Sequence, residues 1–302
     1  MRQQTPVVPE AGGRGSPHAR RLLLLIAPTL GFLVLFFVLP LLGLFRASLY
    51  PGERWFDSAG FSLNHYAKFV ADTYYLGVLA ETIGFGVAAA FVSLLIGFPI
   101  GYSLARLPAK KRRWRLIVVI LPLTLSLVVV VFGWLVLLGR TGLANSILLW
   151  LGLVETPQRL LFNRTAVLVV LVQQFLPFMI LSVMSVVTQI SPALEQAAAN
   201  LRANRFTTMR RVVLPLAMSG ILSGLTLVFI LSAAAFITPR LIGGARVQML
   251  GSLIFEQVTA ILNWPFGAAM AFVLLVITLA MTMGLNTLLA GRFAAKGVLR
   301  AR

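Results

Sequence analysis

The sequence contains no cysteine and only two histidines, His18 and His65, in 302 residues. Disulfides, thiolate metal sites and cysteine nucleophiles are thereby excluded. The histidines lie too far apart in the sequence to suggest a metal site, so none is expected. Charge is scarce, at 11% of residues, and acids are far fewer than bases, eight against 26. A soluble domain of this length would carry roughly a quarter charged residues. No Gly-x-x-x-x-Gly-Lys-Ser/Thr run exists, so ATP hydrolysis is not expected in this chain. The long apolar runs hold no aspartate pair, no histidine and no Ser-Lys arrangement, which argues against a membrane-embedded enzyme. They also nearly lack ionisable residues, which argues against the alternative of an ion-coupled secondary transporter.

What the chain has in abundance is apolar length. It is 59% hydrophobic, and several runs reach the ~20 residues that span a bilayer. This reads as an all-α integral membrane protein with six spans, near 22–45, 76–104, 116–138, 166–187, 216–236 and 266–289. Pro99 is expected to bend the second. Residues 1–20, rich in Pro, Gly, Arg and Ser, read as a disordered tail, and residues 21–302 as one membrane domain. The apolar run after Arg20-Arg21 is too long for a signal-peptide core, so it reads as a retained span.

The net charge of +18 would suggest nucleic acid in a soluble protein. No basic stripe interleaved with stacking aromatics appears, and the excess fits the positive-inside bias instead. The tail, the segment after span two, the segment between spans four and five, and the C-terminus hold 18 of the 26 basic residues. Both termini and the 191–215 loop are therefore expected in the cytosol, in a multi-pass membrane protein. The Lys110–Arg113 run fits this topological role; binding of anionic headgroups is the sharper alternative. On the other side, Phe61, Tyr66, Phe69, Tyr74 and Tyr75 are expected to anchor an external loop at the interface. The apolar stretch from Met249 to Ile261 is too short to span and reads as an interfacial or re-entrant helix.

The 191–215 loop is polar, basic and helical in character. Ser191-Pro192 supplies an N-cap hydroxyl and a proline suited to the first helical position. Glu195 lies in the first turn, where its charge complements the helix dipole. Ala197-Ala198-Ala199 favour helix and leave a smooth face. A break is expected near Ala203, with Asn204 capping a second helix that runs to Leu214 and Pro215. On the residues alone, two readings stay open: a docking helix, or an amphipathic helix that joins two spans along the interface.

Glu195-x-Ala197-Ala198, a polar stretch, then Arg210-Arg211-Val212-x-Leu214-Pro215 resembles the cytoplasmic loop of bacterial ABC importer permeases. That family's pattern is Glu-Ala-Ala, three residues, Gly, nine residues, Ile-x-Leu-Pro. Residues 98–106, 236–244 and 263–269 further resemble the polyamine-type (spermidine/putrescine) branch. The resemblance covers most of the chain from about Leu22. It implies the type I permease fold in the bacterial inner membrane, with a coupling helix between spans four and five. It also implies a second homologous permease (a heterodimer), two ATPases that bind ATP and Mg, and an external solute-binding protein. No cofactor is implied in this chain. Glu195, Gln196, Ala197, Ala198, Arg202, Asn204, Leu214 and Pro215 take the coupling positions.

Two departures stand out. Arg202 replaces the family's Gly, where a positive φ would cost a side chain about 1–2 kcal/mol unless the corner takes another shape. Ala234-Ala235 stands where polyamine-type permeases often carry Gly and an acid. The transported solute is expected to be polyamine-like or a related small organic molecule. Candidates for its passage are Gln173, Gln174, Phe175 and Phe178 in span four, Phe236 and Thr238 after span five, Asn263 and Trp264 before span six, and Glu81. Gln173-Gln174 ranks first, because adjacent amides at that depth need partners and Pro177 loosens the backbone nearby.

Overall fold

The computed structural model describes residues 26–52 and 60–298, and every regular element among them is helical. The disordered tail expected at 1–20 lies outside the described residues. The chain divides into two units, 1–47 and 48–302. The first carries all but the last residue of α1 (Ile26–Ser48), which widens into a π turn at Val34–Val38. Phe32, Phe36 and Phe37 on it are exposed.

The second unit is built on three helices: α3 (Thr73–Ala105), α7 (Arg164–Gln189) and α10 (Met218–Ala233). Asp72 caps α3 by accepting from the Tyr74 amide at 2.9 Å, and Asn163 caps α7 by accepting from Ala166 at 2.8 Å. Pro99 and Pro177 lie inside α3 and α7 without ending either. Small residues let the three backbones close on one another, as apolar solvent leaves packing to drive association. A Cβ on Gly101 would stand 2.8 Å from the Ile180 carbonyl, and one on Gly220 2.7 Å from the Ser182 carbonyl. Phe85, Val170, Leu171, Met179, Val183 and Phe229 fill the core between them.

A second cluster gathers α2 (Asn64–Ala71), the start of α3, α11 (Leu250–Thr259) and α12 (Trp264–Val298). Phe69 and Phe266 are buried there, and Tyr75 meets the Phe266 ring edge-on at 5.0 Å. Phe69 and Tyr75 thus serve protein packing, where interfacial anchoring was expected. The amide of Leu250 donates to buried Thr82 at 2.8 Å. That places the start of α11 against α3 nine residues in from the first residue of α3, roughly 13 Å along it.

Among the described residues, five helices are long and apolar enough to cross a membrane, and six when one bent pair is counted as a single span. Two differ from expectation. The third, expected unbroken over 116–138, is split into α4 (Ala109–Thr124) and α5 (Leu127–Leu138). Pro122 removes a backbone donor near the end of α4, and Leu125 is extended at φ −84° and ψ 146°. With α6 (Leu143–Trp150), α5 makes the apolar stretch Leu127–Trp150. The fifth is the bent pair: α9 (Arg205–Leu216) meets α10 at 69°. It also ends at Ala233, three residues short of the expected 236.

Candidate functional site

The loop between α7 and α10 folds as helix, corner, helix. Ser191 caps α8 (Pro192–Asn200) by accepting from the Ala193 amide at 3.3 Å. Asn204 caps α9 by accepting from Thr207 at 2.7 Å. At the corner Arg202 has φ +59°. Its amide donates to Ala199 O at 2.9 Å, and the Ala203 amide to Ala198 O at 3.0 Å. These two bonds form a Schellman closure, which leaves one residue in the left-handed conformation. The glycine-type corner is therefore built with an arginine, and Arg202 stays exposed.

Glu195 does not project freely. Tyr102 donates its hydroxyl to one carboxylate oxygen at 2.7 Å, and the Arg106 guanidinium donates to the other at 2.5 Å. The same guanidinium donates to Ile190 O at 2.9 Å and lies over the Tyr102 ring at 5.8 Å. Both side chains of the ion pair are about one-fifth exposed, so water screens the pair less than it would at an open surface. Tyr102 and Arg106 stand one turn apart at the end of α3, so both reach α8 together. They thereby tie α3 to the α7–α8 junction. Both lie in the 98–106 segment, for which the sequence suggests no coupling role. A lone acid on the loop and a lone arginine closing a span were the available signal. Ala198 is half-buried, while Gln196 and Ala197 are exposed. Leu214 packs at the margin of the core, and Pro215 begins the last turn before the 69° bend.

The candidates in span four come together. Gln173, Gln174, Phe175 and Phe178 line one cavity of about 150 Å³, closed on its other side by Pro122, Leu125 and Leu127 at the break of span three. Trp134 donates its indole N–H to the Gln173 carbonyl oxygen at 3.0 Å. An indole can only donate, so the Gln173 amide must present its oxygen there and its NH2 elsewhere. Thr238, itself buried, donates to the Gln174 carbonyl oxygen at 2.9 Å. Phe175 is largely buried in the core. Trp134 was missed; an indole inside a span always needs an acceptor, and that was the signal.

The remaining candidates lie elsewhere. Phe236 stacks on Phe255 at 5.1 Å. Asn263 caps α12 by accepting from the Phe266 amide at 3.1 Å, and Trp264 begins that helix. Glu81 lines a separate cavity of about 890 Å³ and pairs with Arg164 at 2.8 Å. Among the described residues no group of three or more His, Cys, Asp or Glu could hold a metal.

Comparison with known proteins agrees with this architecture. The spermidine/putrescine transport system permease protein PotB of Salmonella typhimurium (strain SL1344) is 35% identical over 268 residues, covering 88% of this chain and 91% of PotB. PotB of Escherichia coli (strain K12) is 34% identical over 269 residues, covering 89% and 96%. Among solved structures, a bacterial ABC transporter that imports the acidic polysaccharide alginate contains a chain of the same fold. It superposes with a TM-score of 0.71 at 20% identity, over 90% of this chain and 95% of that one. Residues 97–294 match the family described as binding-protein-dependent transport system inner membrane component, and with that match the chain belongs to this family, the multi-pass inner-membrane permeases of ABC importers.

Proposed function

We propose that this permease forms half of a translocation pore and is driven by ATPases that dock on α8. The observation that carries this is the bolted geometry of the loop. Glu195 fastens α8 to the end of α3, while α9 continues through the bend into α10. A push on α8 is thus delivered to the three helices that form the core. In this reading Glu195 holds the coupling helix in place. Its exposed faces, with Ala197, Leu201 and Arg202, meet the ATPase, and Pro215 sets the angle of entry into α10.

The distribution of Lys and Arg supports a cytosolic position for α8, α9 and both termini. The partners are a second homologous permease, two ATPase subunits that carry ATP and Mg, and an external solute-binding protein. The solute is a small organic molecule, and the relatives named for spermidine and putrescine support a polyamine or related compound. The cavity at Gln173 and Gln174 is its passage, where the two amides replace part of its hydration.

The test is reconstitution. The tagged permease should co-purify with an ATPase, and proteoliposomes of the complex should take up solute from its loaded binding protein. Glu195→Lys, which sets two cations against each other at Arg106, should abolish uptake while the permease still inserts. Intact uptake in that variant, with no ATPase ever recovered, would sink the reading.

A further inference from the structure

The basic run that opens the third span is used neither by the coupling loop nor by the Gln173 cavity. Lys110, Lys111, Arg112, Arg113 and Arg115 crowd the first two turns of α4, and they make no ion pair among the described residues. The first turn of α4 holds no acid, and Pro108 before it offers no side-chain cap. Cations at this end of a helix oppose its dipole. An anion would relieve the arrangement, and the described residues supply none.

Beyond the charges the helix is apolar and uncovered. No residue of α4 is buried, and Ile117, Val118, Ile120 and Leu121 are exposed. At ~100° per residue, Arg112, Arg113, Leu116, Ile117, Ile120 and Leu121 fall on one face, and they line a single groove of about 560 Å³. Lys111, Arg115 and Val118 fall on the opposite face. The groove thus joins two guanidiniums to an apolar stripe that continues from Leu116 to Thr124, about 12 Å along the helix.

We infer that this groove binds an anionic phospholipid of the cytosolic leaflet, its phosphate on Arg112 and Arg113 and an acyl chain along Leu116 to Leu121. Charge at one end and an apolar wall at the other match an amphiphile lying along the helix. Because α4 opens a span, the stripe stands at the depth of acyl chains. Guanidinium forks hold phosphate oxygens in pairs, and a basic cluster at the cytosolic end of a span attracts anionic headgroups. A soluble anion would satisfy the arginines and leave the stripe bare. A lipid held here steadies the start of α4 just after Arg106, which fastens Glu195. The inference rests on the cytosolic placement of the turn between α3 and α4, and not on what the protein transports.

The experiment reconstitutes the tagged protein, with the subunits that co-purify, into vesicles of phosphatidylcholine and phosphatidylglycerol. Each lipid in turn carries the same photoactivatable acyl chain, and adducts on residues 116–124 are mapped by mass spectrometry. Phosphatidylglycerol should label Ile117, Ile120 and Leu121 at least ~5-fold more than phosphatidylcholine does, with no such preference at Val118. Arg112→Gln with Arg113→Gln should bring the ratio within ~2-fold of unity. Lys111→Gln with Arg115→Gln removes as much charge from the opposite face and should keep at least about half of the wild-type ratio. Labelling of Ala245→Cys by an impermeant maleimide checks that every variant inserts alike, and the comparison with Val118 needs no variant at all. An equal preference at Val118, or an equal loss in both double variants, overturns the proposal and leaves the run its topological role alone. Absence of adducts from either lipid assigns the groove to a protein neighbour. A preference abolished by excess inorganic phosphate assigns the arginines to a soluble anion, and either result overturns the lipid site.

Discussion

Arg202 occupies a backbone conformation in which its Cβ crowds the neighbouring carbonyl. Arg202→Gly should therefore stabilise the α8 corner by about 1 kcal/mol, seen as slower amide exchange at Ala199–Ala203 with no change in the fold. A faster-exchanging corner would show that the arginine makes a compensating contact. Glu195 offers a second test. Replacing it with Gln keeps the shape but removes the charge that Arg106 meets, which costs about 1.5–3 kcal/mol for charge-assisted bonds. Exchange across 192–200 should rise and uptake should fall, and Arg106→Ala should reproduce both effects. The corner's residues and the caps were legible in the sequence, because Ser191, Asn204 and the Ala run act locally. The Glu195–Arg106 pair was not, since it joins residues 89 apart and depends on how α3 and α7 pack.

The close contact of α3, α7 and α10 makes the small residues between them the sensitive points of the fold. Gly220→Leu should lower the melting temperature of the detergent-solubilised protein by several degrees or prevent its accumulation, through overpacking of about 1–3 kcal/mol or more. Gly133→Leu, at a site with nothing within 4 Å, should change little; equal effects would discount the contact geometry. The number of spans was legible from hydropathy, because length and apolarity alone set it. The breaks were not. Pro99 in span two and Pro177 in span four stood out in the sequence, but Pro122 in span three did not. Of these three, only the third span parted near its proline, in a helix that buries no residue of its own; α3 and α7, held on several sides, ran on through theirs. Tertiary packing decided where a proline interrupts a helix.

For the whole molecule, the absence of cysteine makes orientation directly measurable. Single substitutions Ala109→Cys and Ala245→Cys should react with a membrane-impermeant maleimide from opposite sides, the first only in inside-out vesicles. Labelling of both from one side would overturn the proposed topology. The bend between α9 and α10 carries a further mechanical meaning. α9 is an arm of 12 residues with a π turn at Met209–Val213, about 18 Å long, joined at one end to a core helix by a hinge-like bend. A swing of ~10° about that hinge moves its far tip by ~3 Å, from the 1.5 Å rise per residue. Read in the other direction, a displacement of a few ångströms imposed at Asn204 arrives at α10 as a torque, so the arm trades distance for leverage on the tightest-packed part of the protein.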